Sequence, residues 1–319
     1  MVTFIVPCFN EQDNVDLFYE TFARAFDAAP SIDWRLVMVD DGSSDDTFTH
    51  LAHLAERDAR VTVLSFSRNF GKEAAIYAGL EEARASDYVG IIDADLQQSP
   101  ATAREMLQVL YDQPEYDCVA AYQESRKEGA LMGIVKRCFY KVFAHAARSS
   151  TVIENASDFR VFRRCVTEAI LSLPEYHRFS KGIFSWVGFR TYPYPYTPAE
   201  RNAGSTKWNF MSLLRYAIEG ILSFSTQPLH AITALGTLAC VAAFIYILVL
   251  IIKTLVVGID VPGYASTIAL ILFFGGAQLL SLGVIGEYLS RLYEQEKDRP
   301  IYILRRALNP MRGDGAHDE

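Results

Sequence analysis

The sequence predicts an α/β domain built on a mainly parallel sheet, followed by long apolar helices. Three observations predict it. From Met1 to about Tyr122, apolar runs of strand length alternate with amphipathic stretches. Polar loops follow each of the first four runs. Two later runs carry no charged residue at all.

The strand-length runs are Val2–Val6, Arg35–Val39, Val61–Phe66, Tyr88–Ile92 and Cys118–Ala121. They are apolar nearly throughout, as strands covered on both faces are. Between them, "NVDLFYETFARAF" and "ATAREMLQVLYD" space their apolar residues for a helix face. Ser99-Pro100 reads as an N-cap with proline at the first helical position, so a helix starts there. Strands alternating with helices give a parallel sheet layered between helices.

The chain has 319 residues and a formal net charge of -8, which argues against a nucleic-acid binder. Its five cysteines are scattered without a CxxC pair, so neither a disulfide framework nor a zinc site is expected. The opening "MVTFIVP" has no basic flank and no long apolar core, so a cleaved signal peptide is not expected.

The uncharged runs are Leu229–Ile252 and Tyr264–Gly286. Each exceeds the roughly 20 residues that cross a bilayer, and a pair of buried core helices is the competing reading. The connector between them holds one lysine and one aspartate, whereas the segment after them holds Arg291, Lys297, Arg299, Arg305, Arg306 and Arg312. The positive-inside rule then places that tail, and with two spans the first domain, in the cytoplasm. Just before the first run, Leu213, Leu214, Ala217, Ile218, Ile221 and Leu222 form one face of an amphipathic stretch. That is the pattern of an interfacial helix or of an ordinary surface helix. The expected division is 1–208 for the sheet domain, 209–228 for the amphipathic helix, 229–290 for two spans (229–252 and 264–287) and 291–319 for a basic tail.

Open parallel sheets bind ligands at the carboxyl ends of their strands. Four polar loops fall there: Pro7 to Glu11, Asp40 to Asp45, Arg68 to Lys72, and Asp93-Ala94-Asp95-Leu96-Gln97. Two aspartates this close raise each other's pKa unless they share a cation. Hard cations such as Mg²⁺ or Mn²⁺ take carboxylate oxygens and complete their shell with substrate phosphates. There is no GxxxxGK, and no GxGxxG follows the first strand.

"FIVPCFNE", "VDDGSSDDT", "RNFGKEAA" and "DADLQ", in this order, resemble a family 2 glycosyltransferase with a GT-A, Rossmann-like fold. "ENASDFRVF", "FSKGIFSWVGF", "ERNAGSTKW" and "GEYLSRLYEQEKDRPIYI" resemble the polyisoprenyl-phosphate transferases related to dolichol-phosphate mannose synthase. Among these the bacterial bactoprenol (undecaprenyl-phosphate) glucosyltransferases are the nearest in pattern. The resemblance implies an inverting, membrane-anchored enzyme of the bacterial inner membrane with its catalytic domain in the cytoplasm. It implies transfer of a sugar, glucose ahead of mannose, an aminosugar or aminoarabinose, from a nucleotide sugar to polyprenyl phosphate. UDP is favoured over GDP, and a homotetramer is the expected assembly.

Residue by residue, the resemblance implies a nucleotide pocket at Pro7, Asn10, Glu11, Asp40, Asp41, Ser43, Arg68 and Lys72. Asp93 and Ala94 face the donor, while Asp95 and Gln97 are metal ligands. Asp158 lies beside the reacting centre, and Arg126, with Arg137, handles phosphate. Arg178, Lys181 and the stretch from Arg201 to Lys207 lie in loops expected to close over the donor and guide the acceptor. Ser157 departs from the pattern, where the family often has glycine. Read from the residues alone, Asp158 could instead pair with Arg160 or Arg163 on the surface, and Arg178 and Lys181 could be solvated charges. A catalytically silent membrane scaffold that binds nucleotide sugar, or a transferase with another acceptor, is the alternative function.

Overall fold

A computed structural model of the chain describes residues 1–123, 156–173, 175–197, 227–257 and 263–311. In order these form β1 (Val2–Cys8), α1 (Val15–Asp27), β2 (Trp34–Asp40), α2 (Thr47–Arg57), β3 (Val61–Phe66), α3 (Lys72–Glu82), β4 (Tyr88–Ile91), α4 (Pro100–Asp112) and β5 (Cys118–Gln123). There follow β6 (Ala156–Arg163), α5 (Arg164–Leu171), α6 (Ser180–Trp186), β7 (Thr191–Tyr196), α7 (Gln227–Val257), α8 (Tyr264–Glu296) and β8 (Leu304–Leu308). Each of the five expected strands is present. Ser99 caps α4 as expected, its Oγ accepting from the Ala101 N–H at 3.2 Å.

The sheet is mixed, with strand order β7-β5-β6-β4-β1-β2-β3-β8. β4, β1, β2 and β3 are parallel. β6 runs antiparallel to both β4 and β5, and β8 antiparallel to β3. β5 and β7 pair in parallel as well, so the sheet is mixed but mainly parallel, as expected. Chain order reverses between β1 and β4, which is where an open sheet leaves a crevice for a ligand.

Helices cover both faces of the sheet. On one, Phe18, Phe22 and Phe26 of α1 recur every fourth residue and share one side of the helix. Phe22 and Phe26 stack at 4.4 Å, and Phe4 of β1 meets them edge-on at 5.2 and 5.1 Å. On the other, Ala74, Ala75 and Ala78 of α3 pack over Ile5, Val37 and Val39. The helix lies so close that a Cβ on Gly79 would stand 2.3 Å from Ile5 Cγ2. This close seat fixes the start of α3, and Lys72 with it, over the sheet.

Both uncharged runs are helical. Among the described residues one helix is long and apolar enough to cross a membrane, over Leu229–Tyr246 with a mean hydropathy of 1.8. α8 starts at Tyr264, as the second run does, but continues past Glu287 and Arg291 to Glu296. The amphipathic stretch at 209–226 lies outside the described residues.

The segment expected as a basic tail contributes the eighth strand. β8 pairs with β3, and Tyr302 stacks on Phe66 at 4.9 Å while donating its hydroxyl to Glu81 at 2.7 Å. Asn309 donates to the carbonyls of Ala55 and Val61, and its own carbonyl accepts from Thr62 Oγ1 at 2.7 Å. Tyr302→Ala is expected to cost about 2–3 kcal/mol, the loss of a packed aromatic at a half-buried position. A thermal melt of the purified protein checks it, and an unchanged melting temperature would show that β8 adds nothing to the sheet.

Candidate active site

The four polar loops meet at the carboxyl ends of β1 to β4 around a cleft of about 310 Å³. Its walls include Pro7, Glu11, Asp41, Lys72, Asp93 and Asp95, with Ala94 behind them. Several of the expected residues build these loops. Asn10, at φ 55, donates its N–H to Ser43 Oγ at 3.0 Å and accepts from the Ser44 N–H at 2.9 Å. This ties the loop after β1 to the loop after β2. Asp40 is buried, accepting from Ser65 Oγ at 2.7 Å and from the Ser43 N–H at 3.0 Å. Asp41 accepts from the N–H groups of Phe70 (2.7 Å) and Gly71 (2.9 Å) and so anchors the loop after β3. Burial lifts its carboxyl above the usual range despite those bonds. Gly42, at φ +64, lets the loops cross: a Cβ there would meet the Arg68 carbonyl carbon at 2.4 Å.

Charge concentrates where β4, β6 and α3 converge. The antiparallel register sets Gly90 against Val161 and Ile91 against Arg160. Carried on past the strand end, it points Asp93 toward Asp158. Lys72 lies between them, its Nζ 2.6 Å from Asp93 Oδ1 and 3.3 Å from Asp158 Oδ2. Burial would lower the Lys72 pKa, but the two carboxylates outweigh it and hold the lysine charged. Burial likewise pushes Asp158 up, yet Lys72, Lys181 and Arg160 together keep it below the usual carboxylate range. The surface pairing with Arg160 or Arg163 is not what forms. Arg160 is buried with its guanidinium 4.5 Å from the centre of the Phe184 ring, and Arg163 donates to the carbonyls of Tyr116 and Leu110.

Asp93 is clamped a second way. Gln98 accepts from the Asp93 N–H at 2.9 Å and donates to Asp93 Oδ2 at 3.1 Å. Between them the chain turns through Leu96 at φ 59, a strained conformation for a branched residue. That turn keeps Asp95 on the cleft wall, its Oδ1 accepting from the Gln97 N–H at 3.1 Å. Gln97 is half-buried in the turn and is not among the residues lining the cleft. Among the described residues no group of three or more His, Cys, Asp and Glu is placed to hold a metal ion alone. Both oxygens of Asp93 are engaged by Lys72 and Gln98, whereas the Asp95 carboxylate lies on the cleft wall, an oxygen donor that fits a hard cation completing its shell with phosphate oxygens.

Arg68 and Arg178 line a neighbouring cavity of about 310 Å³, together with Glu73, Tyr176 and His177. Arg68 lies 4.0 Å from the Phe70 ring centre and donates to the Asn69 carbonyl. Arg178 is held by the carbonyls of Leu173 and Ile170 and sits 4.4 Å from the Tyr77 ring centre; neither arginine lines the cleft of Asp93, though Arg68 acts on the charge of Asp41 at its wall. Arg126, Arg137, Arg201 and Lys207 lie outside the described residues. Gln98, Glu73 and Ser180 escaped the sequence reading. Gln98 had a signal, a second glutamine after the acidic triplet; Glu73 and Ser180 had none beyond adjacency to Lys72 and Lys181.

Residues 3–171 match the model of glycosyl transferase family 2. The prophage bactoprenol glucosyl transferase homolog of Escherichia coli K12 is 40% identical over 306 residues, 96% of this chain and 98% of its own. The putative glycosyltransferase CsbB of Bacillus subtilis 168 is 38% identical over 310 residues, 97% of this chain and 93% of its own. Among solved structures, glucosyl-3-phosphoglycerate synthase from Mycobacterium tuberculosis, in complex with Mn²⁺, UDP-glucose and glycerol 3-phosphate, aligns over 70% of this chain and 79% of its own. The identity there is 19% and the TM-score 0.44.

Lys72→Met removes the cation between two acids. At pH 7 it is expected to cost about 1–2 kcal/mol, less than a fully buried pair because the lysine is partly exposed. The depressed pKa of Asp158 contributes stability above the ordinary carboxylate range and loses it as pH falls. The deficit of the variant should therefore shrink on acidification, as Asp158 takes up a proton and the ion pair it makes with Lys72 is lost from the unmodified protein too. Melting curves of both proteins from pH 7 down to pH 4 test this, and a deficit that grows on acidification would contradict it.

Proposed function

Because the chain belongs to glycosyl transferase family 2, we propose that it moves glucose from a nucleotide sugar to a polyprenyl phosphate at a membrane surface. The span of the likeness carries this reading. An alignment over 306 of 319 residues includes both long helices, so the bactoprenol-directed relative shares the apolar part as well as the sheet. The product would be a lipid-linked sugar for modification of cell-envelope glycans.

The apolar helices have a physical purpose in this reading. A polyprenyl chain cannot leave the bilayer, since each buried CH₂ contributes about 0.8 kcal/mol. The transferase must come to the lipid. α7 and α8 would serve as two spans of the bacterial inner membrane, with the basic segment and the sheet domain on the cytoplasmic side. α8 is about 50 Å long at 1.5 Å per residue, more than a hydrocarbon core needs, so its far end reaches the sheet domain.

In the cleft, Pro7, Glu11 and Asp41 would receive the nucleoside. Asp95 would hold a Mg²⁺ or Mn²⁺ together with the donor's phosphates, the ion supplying Lewis-acid neutralisation of the departing diphosphate, while Asp93, paired with Lys72, would face the donor sugar. Lys72 fixes Asp93 against Asp158 and favours the charged form of Asp158. Asp158 then presents a negative charge where positive charge builds on the anomeric carbon, or orients the incoming phosphate. A phosphomonoester has a second pKa of about 6 and is mostly dianionic at pH 7, so it needs no strong base. Attack in line with the leaving diphosphate inverts the anomeric centre. Lys181 lies near enough to Asp158 to act on its charge and would guide the acceptor phosphate.

Membranes carrying the protein, given labelled UDP-glucose and polyprenyl phosphate, should form organic-extractable lipid-linked glucose. EDTA should abolish it, and Asp95→Asn should lower kcat by about a hundredfold or more, the scale of a lost charge-stabilising contact. Product that forms equally in EDTA would remove the metal. Nucleotide-sugar binding without turnover would replace the transferase with the silent scaffold.

A further inference from the structure

Glu73 has no part in the chemistry described so far, yet it follows Lys72 directly at the start of α3. Its Oε2 accepts from the backbone N–H of Ser180 at 2.9 Å and from the Ser180 hydroxyl. Ser180 is buried and opens α6; the next residue is Lys181, whose charge acts on Asp158. The same segment is fastened again a few residues earlier. The Tyr176 N–H donates to Gln295 Oε1 at 2.8 Å, and His177 Nε2 meets the Glu294 carboxylate. Both partners lie in the last turns of α8. Between the two anchors Arg178 lies over Tyr77, itself a residue of α3. The stretch Tyr176–Lys181 thus joins the far end of α8 to the helix that carries Lys72.

A carboxylate in this place costs more desolvation energy than an amide or an apolar side chain would. Burial lifts Glu73 to about 7, with Ser180 pulling it down and the neighbouring charge of Asp158 pushing it up. Both Ser180 bonds use a single oxygen, so what the carboxylate supplies is a fixed point for that residue. We infer that Glu73 is a positioning residue for the acceptor side of the reaction: by holding Ser180 it sets Lys181 against Asp158 and ties that pair to the end of α8. The inference rests on the acceptor role given to Lys181 above.

A double-mutant cycle read through steady-state constants tests it. Glu73→Ala and Ser180→Ala should each raise KM for polyprenyl phosphate about tenfold, the worth of a hydrogen bond to a charged group. KM for UDP-glucose should stay unchanged. The double variant should be no worse than the stronger single one, because both remove the same contact. Glu73→Gln keeps an acceptor oxygen and should restore most of the acceptor affinity. Multiplying effects in the double variant, an unchanged acceptor KM, or equal rises in both KM values would overturn the positioning role. If the unmodified protein forms no lipid-linked glucose, the transferase reading itself fails. If it does so and the variants match it, only the role of Glu73 fails.

Discussion

The site depends on one ammonium group held between two carboxylates. Asp93 and Asp158 come from different strands and would repel each other across a sheltered gap if left alone. Lys72 makes their proximity affordable, at 2.6 Å from one and 3.3 Å from the other. Its position is in turn set by packing. Small residues on one side of α3 let that helix settle onto β1 and β2, so its first residue is fixed relative to the end of β4. Side-chain chemistry at the cleft is therefore a consequence of alanines and a glycine in the core.

The antiparallel course of β6 is the second half of the same arrangement. A fully parallel sheet would have required another crossover to bring a strand beside β4. Running β6 the other way lets Asp158 arrive at the carboxyl end of β4 as the strand begins, next to the turn that carries Asp93 and Asp95. Gln98 and the strained turn at Leu96 then hold Asp93 and Asp95 on the same wall. Acids are gathered by topology first and adjusted by local hydrogen bonds afterwards.

How much of this could be read from the residues varies with the element. β1 to β5 were legible because each is an apolar run between turn residues, and the acidic triplet was legible because it ends one of them. β6 was not, since "ASDFRVFR" mixes charges with apolar residues; nor was β7, whose "TYPYPY" holds two prolines, as an edge strand can. β8 reads as a basic stretch because an edge strand shows its side chains to water. At the site, Lys72 and Asp158 were legible as candidates, but their contact joins residues far apart in the chain and no local pattern announces it. Asp40 and Asn10 were legible as important; the structure gives them the task of holding loops together.

The pairing of β8 with β3 bears on how the molecule is made. Synthesis delivers β1 to β7 first, then both long helices, and only then Leu304–Leu308. Throughout that interval the outer rim of β3 is a bare row of backbone donors and acceptors, open to pairing with any extended chain nearby. The nascent sheet is sealed by its own last strand, after the apolar segments have left the ribosome. Folding of the domain and synthesis of the apolar helices thus become one sequence of events, with closure of the sheet after both helices are made.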